Sequence, residues 1–258
     1  MKVNREELIH SLNSLSPGIA KKEIIEQGDC ILFDAKSGLA YSFNEQIACF
    51  VKLNLGVTGA VIAEPLIILL KQLPDEEIDV TQDEANLLIK GKRSMSGVKC
   101  ESQLRLPIDV LERPEDDAWF PLPEGFVEAV EIVESCVSKS DTDFQLSSIH
   151  VTSEFMESAN VDQVCRYNIE IPISEQFLVR HGVLHDIVSI GVSECAVTQN
   201  WLHFRDKHDL TVSCRRYTEE YIEQMEAVFT KKRKSATITL PSGLKEAVST
   251  ASCFPKII

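Results

Sequence analysis

The sequence predicts an α+β protein built from a repeated unit, in which antiparallel sheets are covered on one face by two helices. Three observations lead there. Amphipathic helical segments recur at equal steps along the 258-residue chain, Leu8, Phe126 and Leu244 each standing 118 residues after the one before. A second kind of helix, short and preceded by a β-like run, occurs once in each of the first two units, at 64–73 and 174–184. Runs of alternating apolar residues fill the intervals between helices.

Taken in order, REELIHSLNSLS places Leu8, Leu12 and Leu15 at i, i+4 and i+7, on one helical face. The runs CILFDAKSGLAYSFN and ACFVKLNL then read as strands. The helix at 64–73 has an acidic start and a Leu-Pro stop, and is followed by the strand-like runs EIDVTQ and NLLIKGKRSMSGVKC, with Gly91 at a hairpin turn. The second unit opens with EGFVEAVEIVESCVS, where Phe126, Val130 and Val133 repeat the helical spacing. Strand-like runs FQLSSIHVTSEF and CRYNIEIPI follow, then the helix expected at 174–184. IVSIGVS, CAVTQNWLHF and DLTVSCRRY complete the unit, with a turn at Asp206 and Lys207. A third unit begins with PSGLKEAVSTASCF, where Leu244, Val248 and Ala251 carry the spacing. The expected units are therefore 1–120, 121–230, and an incomplete third at 231–258.

Composition bounds the function. Apolar residues make up 44% and charged residues 26%, a globular balance. No apolar run is long enough for a membrane helix, and MKVNREELIH lacks the apolar core of a signal peptide. Eight cysteines are scattered singly with no C-x-x-C pair, which reads as small buried hydrophobes in a reducing compartment, the cytoplasm. A net charge of -14 argues against nucleic acid unless the cations gather on one face.

The stretch VIAEPLIILLKQLPDEEIDVTQDEANLLIKGKRSMSGV resembles the DNA sliding clamps of the bacterial and phage polymerase III beta subunit family: a second helix, its Leu-Pro stop, and the hairpin beyond it. MKVNREELIHSL is similar to that family's first strand and helix, and SATITLPSGLKEAVSTA to the start of its third domain. The Asp-Gly-His-Arg-like stretch of the family's second domain is replaced here by VDQVCRYNIEI. The resemblance implies repeated clamp domains and a ring of six of them, made by two three-domain chains as a homodimer, with helices lining a hole around duplex DNA. It implies a processivity factor with no cofactor and no catalysis, which tethers a DNA polymerase and is opened by a clamp loader. Three such units need more residues than this chain has, so the chain is expected to be a truncated piece or an unusually short member, the former favoured because a lone helix without its sheet could not be buried.

Such a ring meets phosphates through Lys and Arg without reading bases. By position in the resemblance the candidates are Lys21 and Lys22 after the first helix, Lys71 late in the second and Lys139 at the end of the third. Arg180 and His181 fall on the fourth helix, and Lys245 opens the fifth. A groove for partner peptides would use Leu146, Tyr167 and Ile222. The KKRK cluster at 231–234 reads as a solvated connector between units.

Rival chemistry is weaker. HGVLH sets His181 and His185 four apart, a spacing that can hold a metal on a helix, yet no third ligand accompanies them. His203 and His208 flank an expected turn and read as a hairpin tip. G-x-S-x-G, P-loop and Rossmann glycine patterns are missing, and the acidic runs PDEE and ERPEDD read as solvated connectors. Two alternatives remain: a clamp-fold protein scaffold without DNA, which would lack converging cations, and a hydrolase on another α+β fold, which would need a deep polar pocket.

Overall fold

The computed structural model describes residues 1–21, 25–107, 111–140, 142–208, 210–223, 225–230 and 238–252. Strand β1 (Lys2–Asn4) runs directly into helix α1 (Arg5–Asn13), where the Asn4 side chain accepts hydrogen bonds from the Glu6 and Glu7 amides at 2.9 and 3.1 Å. Two of the first-turn donors that a helix leaves open are thereby satisfied. Strands β2 (Cys30–Asp34), β3 (Leu39–Phe43), β4 (Ile47–Lys52) and β5 (Gly59–Ile62) follow. Helix α2 (Ala63–Gln72) ends where Leu73 turns extended ahead of Pro74, as a residue before proline must. Strands β6 (Glu77–Gln82), β7 (Asn86–Lys90) and β8 (Met95–Lys99) close the first half.

The second half repeats the plan. It consists of β9 (Phe120–Pro121), α3 (Phe126–Glu134), β10 (Ser148–Val151), β11 (Phe155–Ala159), β12 (Val164–Asn168) and β13 (Phe177–Arg180). Helix α4 (Val183–Val188) and strands β14 (Glu194–Val197), β15 (Trp201–Arg205) and β16 (Leu210–Arg215) complete it. Sheet order is β1-β6-β7-β8 in the first half and β9-β14-β15-β16 in the second, β5-β2-β3-β4 in the first and β13-β10-β11-β12 in the second. Adding eight to each strand number converts one half into the other. Strand β4 pairs antiparallel with β16, fusing two of these sheets into one of eight strands that crosses from half to half.

One helical expectation fails. The segment 174–184 is not a helix: Phe177–Arg180 is strand β13, paired with β10, and helix α4 starts only at Val183. The cause is Gly182, whose φ of 76° breaks the chain direction between strand and helix, and Gly125 (φ 82°) does the same before α3. IVSIGVS is likewise not a strand, since Ile187 and Val188 belong to α4 and Gly191 turns the chain at φ 84°. The remaining strand runs contain strands, but CRYNIEIPI is strand only as far as Asn168 and FQLSSIHVTSEF only from Ser148. Gly91 and Asp206 stand at hairpin turns, Gly91 donating to the Ser94 carbonyl and Asp206 to that of Leu210.

All four helices pack on one face of the shared sheet. Leu8, Leu12 and Leu15 from the first helical segment and Phe126, Val130 and Val133 from α3 are buried with Leu66, Leu70, Leu184 and Ile187. They meet the inward residues of the strands in one continuous core. On the opposite face a second cluster of Cys30, Leu32, Tyr41, Phe43 and Trp201 is roofed by Leu104, Leu106 and Leu111 of the connector between halves. That connector is tied down by Gln27, which is 3% exposed, donates to Glu101 Oε2 and the Gln103 carbonyl, and accepts from the Arg105 amide. Glu112 accepts from the amide and side chain of Asn200 at 2.9 and 2.6 Å, so the ERPEDD run includes an anchor as well as solvated residues.

Met1–Tyr221 form one compact unit and Ile222–Ile258 another. The second contains α5 (Met225–Thr230) and α6 (Leu244–Ser252). Leu244 and Val248 of α6 are 39% and 59% exposed. The KKRK cluster at 231–234 lies outside the described residues.

Candidate nucleic-acid interface

The surface to be tested for DNA is the solvent side of helices α1 to α4, whose opposite sides are fixed by the core. Arg5 locks the first pair together: its guanidinium donates to the carbonyls of Leu70 and Asp75 and to Glu6 Oε1. The second pair is joined by Glu134, whose Oε1 accepts from the Gly182 amide at 2.7 Å, at the start of α4. Burial pushes the Glu134 carboxyl above its ordinary range, and its Oε2 is buried without a protein partner.

What the four helices present to solvent is mostly acidic. Glu6, Glu7, Glu64, Glu128, Glu131 and Asp186 are exposed there, with Lys71 as their exposed lysine and His10 and His185 beside them. Val127, Ile68 and Ile132 add apolar patches at 46%, 47% and 37% exposure. A duplex approaching this face meets carboxylates before it meets cations.

The predicted cations scatter. Lys21 is exposed in the loop after α1, and Lys71 is exposed in the last turn of α2. Lys22 lies outside the described residues. Lys139 is exposed but sits in the loop beyond α3, which ends at Glu134, and not on the helix. Arg180 ends strand β13 instead of riding a helix; its guanidinium donates to Ser147 Oγ and lies 4.4 Å from the Phe144 ring centroid. His181 occupies the turn before α4, its amide on the Ser147 carbonyl. His181 and His185 therefore do not share a helical face, and no cluster of metal-ligating side chains forms among the described residues. Lys245 is exposed on α6, in the other unit.

The proposed groove residues also lie on separate elements. Leu146 sits in the turn before β10, its amide on Asp143 Oδ1. Tyr167 is on β12 with its hydroxyl 3.1 Å from Glu128 of α3, a bond to a carboxylate that raises the phenol's pKa. Ile222 belongs to the second unit.

Sequence reasoning missed the opposite face. A cavity of about 570 Å³ opens between the connector and the outer side of the eight-stranded sheet, lined by Glu112, Trp119, His203 and Arg205 among others. His203 is not at a hairpin tip: it is 2% exposed within β15, with Nδ1 2.8 Å from Ser213 Oγ and Nε2 3.0 Å from Thr198 Oγ1. Burial pulls its pKa down to about 4. Ser213 is buried in a strand paired on both sides, with β15 and β4, so the ladders claim the amides an oxyanion would need. Burial also raises the thiols of Cys49 and Cys195 to about 12.

No family model and no curated protein matches this sequence. Solved structures do. The chain is similar to a putative DNA polymerase III beta subunit from Eubacterium rectale, with a TM-score of 0.75 at 16% identity over 89% of this chain and 68% of that one. It is similar to the DNA polymerase III beta chain of Streptococcus pneumoniae, with a TM-score of 0.74 at 13% identity over 87% of this chain and 66% of that one. It is similar to a Pseudomonas aeruginosa sliding clamp bound to griselimycin, with a TM-score of 0.72 at 14% identity over 91% and 68%. The chain thus spans about two thirds of the length of these structures, and its fold is the sliding-clamp fold, as the sequence resemblance implied.

Proposed function

We propose that this chain is a DNA polymerase processivity factor, a segment of a sliding clamp whose closed ring surrounds duplex DNA and tethers the polymerase. The observation that carries this reading is the pair of equivalent modules, each with two helices on the same face of a sheet that crosses their junction. In this reading the two joined modules are part of the ring's wall, with their helices as its lining. Such a protein needs no bond-making chemistry, because topology alone keeps a ring on the duplex it encloses. The modules are taken as 1–120 and 121–230, with 231–258 opening a third. A chain with a complete third module would close as a homodimer with the help of a clamp loader, in the cytoplasm. No helix among the described residues is long and apolar enough to cross a membrane.

In this reading Lys21, Lys71 and Lys139, with Lys22 and Lys245, supply sequence-independent phosphate contacts. Arg180 contributes from the end of β13 and His181 from the turn into α4, and Leu146, Tyr167 and Ile222 are the residues to test for a partner peptide. The test is retention on nicked circular DNA against the same DNA linearised, in the presence of a clamp loader. Retention on the circle with loss from the linear form supports encirclement.

A second reading rests on the acidic helix faces: a clamp-fold scaffold that binds proteins and does not enclose DNA. Equal binding to both DNA forms, or none to either, favours the scaffold.

A further inference from the structure

The sheet face turned away from the helices holds the cavity of about 570 Å³, which encirclement of DNA would not use. Its floor is a row of side chains running across the junction of the halves. Phe50 of β4 opposes Thr211 of β16, Thr211 opposes Arg205 of β15, and Arg205 opposes Glu194 of β14. His203 and Ser213, opposite each other, form the next row. Arg113 and Trp119 of the connector complete the lining, with Asp206 and Lys207 of the β15–β16 turn. The volume falls in the range of small-ligand sites. We propose that this cavity binds a small anion carrying a flat ring, the chemistry of a nucleotide.

The charges in the lining leave cations available. Glu112 is occupied by the Asn200 amide and side chain at 2.9 and 2.6 Å. Glu194 accepts from Arg205 Nε at 2.6 Å, and Asp206 Oδ1 accepts from the His208 and Leu210 amides at 2.7 and 2.9 Å. Arg113 and Lys207, by contrast, are exposed and have no hydrogen-bond or ion-pair partner among the described residues. Lys52 brings a third cation to the lining, and exposed Asp116 is the carboxylate set against them. In a chain of net charge -14 this is a local reversal of sign, and it attracts an anion.

Trp119 and Phe50 supply the surfaces for a ring. The Arg205 guanidinium lies 4.3 Å from the Trp119 ring centroid while its Nε is bound to Glu194, so the indole is held in place before a ligand arrives. Bases stack on such aromatic faces whatever their identity, and a phosphate beside Arg113 and Lys207 gains charge-assisted bonds. Leu39, Leu111 and Leu210 make the rest of the lining too apolar for a bare inorganic anion. Phe50 and Lys52 come from the first half and Arg205 and Lys207 from the second, so an occupant binds the joined halves and stabilises their junction. The cavity faces away from the helices, so this inference and the encirclement of DNA fail or stand separately.

The experiment titrates the 258-residue chain with adenosine monophosphate and, separately, with a short single-stranded oligoadenylate, following tryptophan fluorescence and thermal unfolding. The monophosphate should change the Trp119 emission and raise the Tm. Adenosine alone and inorganic phosphate alone should each bind roughly tenfold more weakly or worse, since each forfeits either the charged or the stacking contacts. Arg113→Glu and Lys207→Glu, both at exposed positions, should each weaken binding by roughly tenfold. Lys90→Glu, an equal change of charge on β7, should leave it unaltered. Trp119→Phe should remove the fluorescence change and keep the thermal shift. If oligoadenylate binds and the monophosphate displaces it, the end of a strand is a source of the ligand; if only the monophosphate binds, the source is the free nucleotide. No binding of either at millimolar concentration, binding that both charge reversals leave intact, or oligoadenylate that the monophosphate cannot displace overturns the proposal.

Discussion

Ser42 and Ser158 do the same work in the two modules. Both are fully buried on a central strand, and each donates its hydroxyl to a carbonyl near the end of the first helical segment of its module, Ser42 to Leu15 at 2.6 Å and Ser158 to Val133 at 2.5 Å. A serine in a core is costly unless bonded, so its recurrence marks the joint between helix and sheet as a shared design.

Replacing either serine with alanine removes one of two donors, since the Leu15 carbonyl also accepts from the Gly18 amide and the Val133 carbonyl from the Cys136 amide. Ser42→Ala and Ser158→Ala should each cost about 0.5–1.5 kcal/mol in urea unfolding. The two sites share no partners, so the double variant should lose close to the sum.

The buried carboxylate of Glu157 is held by Arg166 at 2.7 and 2.9 Å and by His150 at 2.7 Å, with His150 stacked on Tyr221. Removing one partner strands a charge. Arg166→Met should destabilise by about 3–5 kcal/mol, while the combined Glu157→Leu, Arg166→Met variant should recover much of that loss. Equal losses in the two variants would show that the arginine's packing over Phe155, 3.9 Å from the ring centroid, matters more than its charge.

Acid should weaken the fold through His203. Its pKa in the folded chain is about 4, below the ordinary histidine value, so the unfolded chain binds the proton more readily. The stability due to its neutral form is therefore fully present above about pH 6.5 and is lost as pH falls towards 4, up to about 3 kcal/mol. His203→Gln should flatten the stability slope between those values. A ring signal titrating near the ordinary histidine pKa in NMR would sink the idea.

Thiol reactivity should follow burial. Cys136 and Cys165 are partly exposed, whereas Cys30, Cys49, Cys100, Cys195 and Cys214 are buried. Among the described cysteines, native alkylation followed by mass spectrometry should label Cys136 and Cys165 first, with Cys49 and Cys195 labelled only on unfolding.

On the DNA side, Lys71→Glu should reduce retention on circular DNA and shrink the salt slope by about 0.9, the loss of one phosphate contact. Glu128→Gln with Glu131→Gln should act oppositely. If neither moves retention, the solvent side of α2 and α3 is not where phosphates lie.

The repeat was legible because helix faces and strand alternation are local patterns, and the steps from Leu8 to Phe126 to Leu244 are written in the chain. The stretch FLVRHGVLHDIV was not. Four apolar-rich residues suit a strand or a buried helix equally, and only the left-handed φ at Gly182 decides where one ends and the other begins. Arg180 looked like a free cation in sequence, but the ring of Phe144 and the hydroxyl of Ser147, far away along the chain, hold it. The acidity of the helical surface was hidden for the same reason: sequence counts charges but does not tell which of them the core turns outward.

The junction of β4 with β16 also has a history in time. Residue 52 completes β4, but its partner begins at Leu210, so a ribosome must add about 160 more residues before the eight-stranded sheet can form. At ordinary translation rates that is roughly ten to thirty seconds. Throughout that interval the nascent first half displays an unpaired strand, a target for chaperones or for the half-made chain of a neighbouring ribosome on the same message.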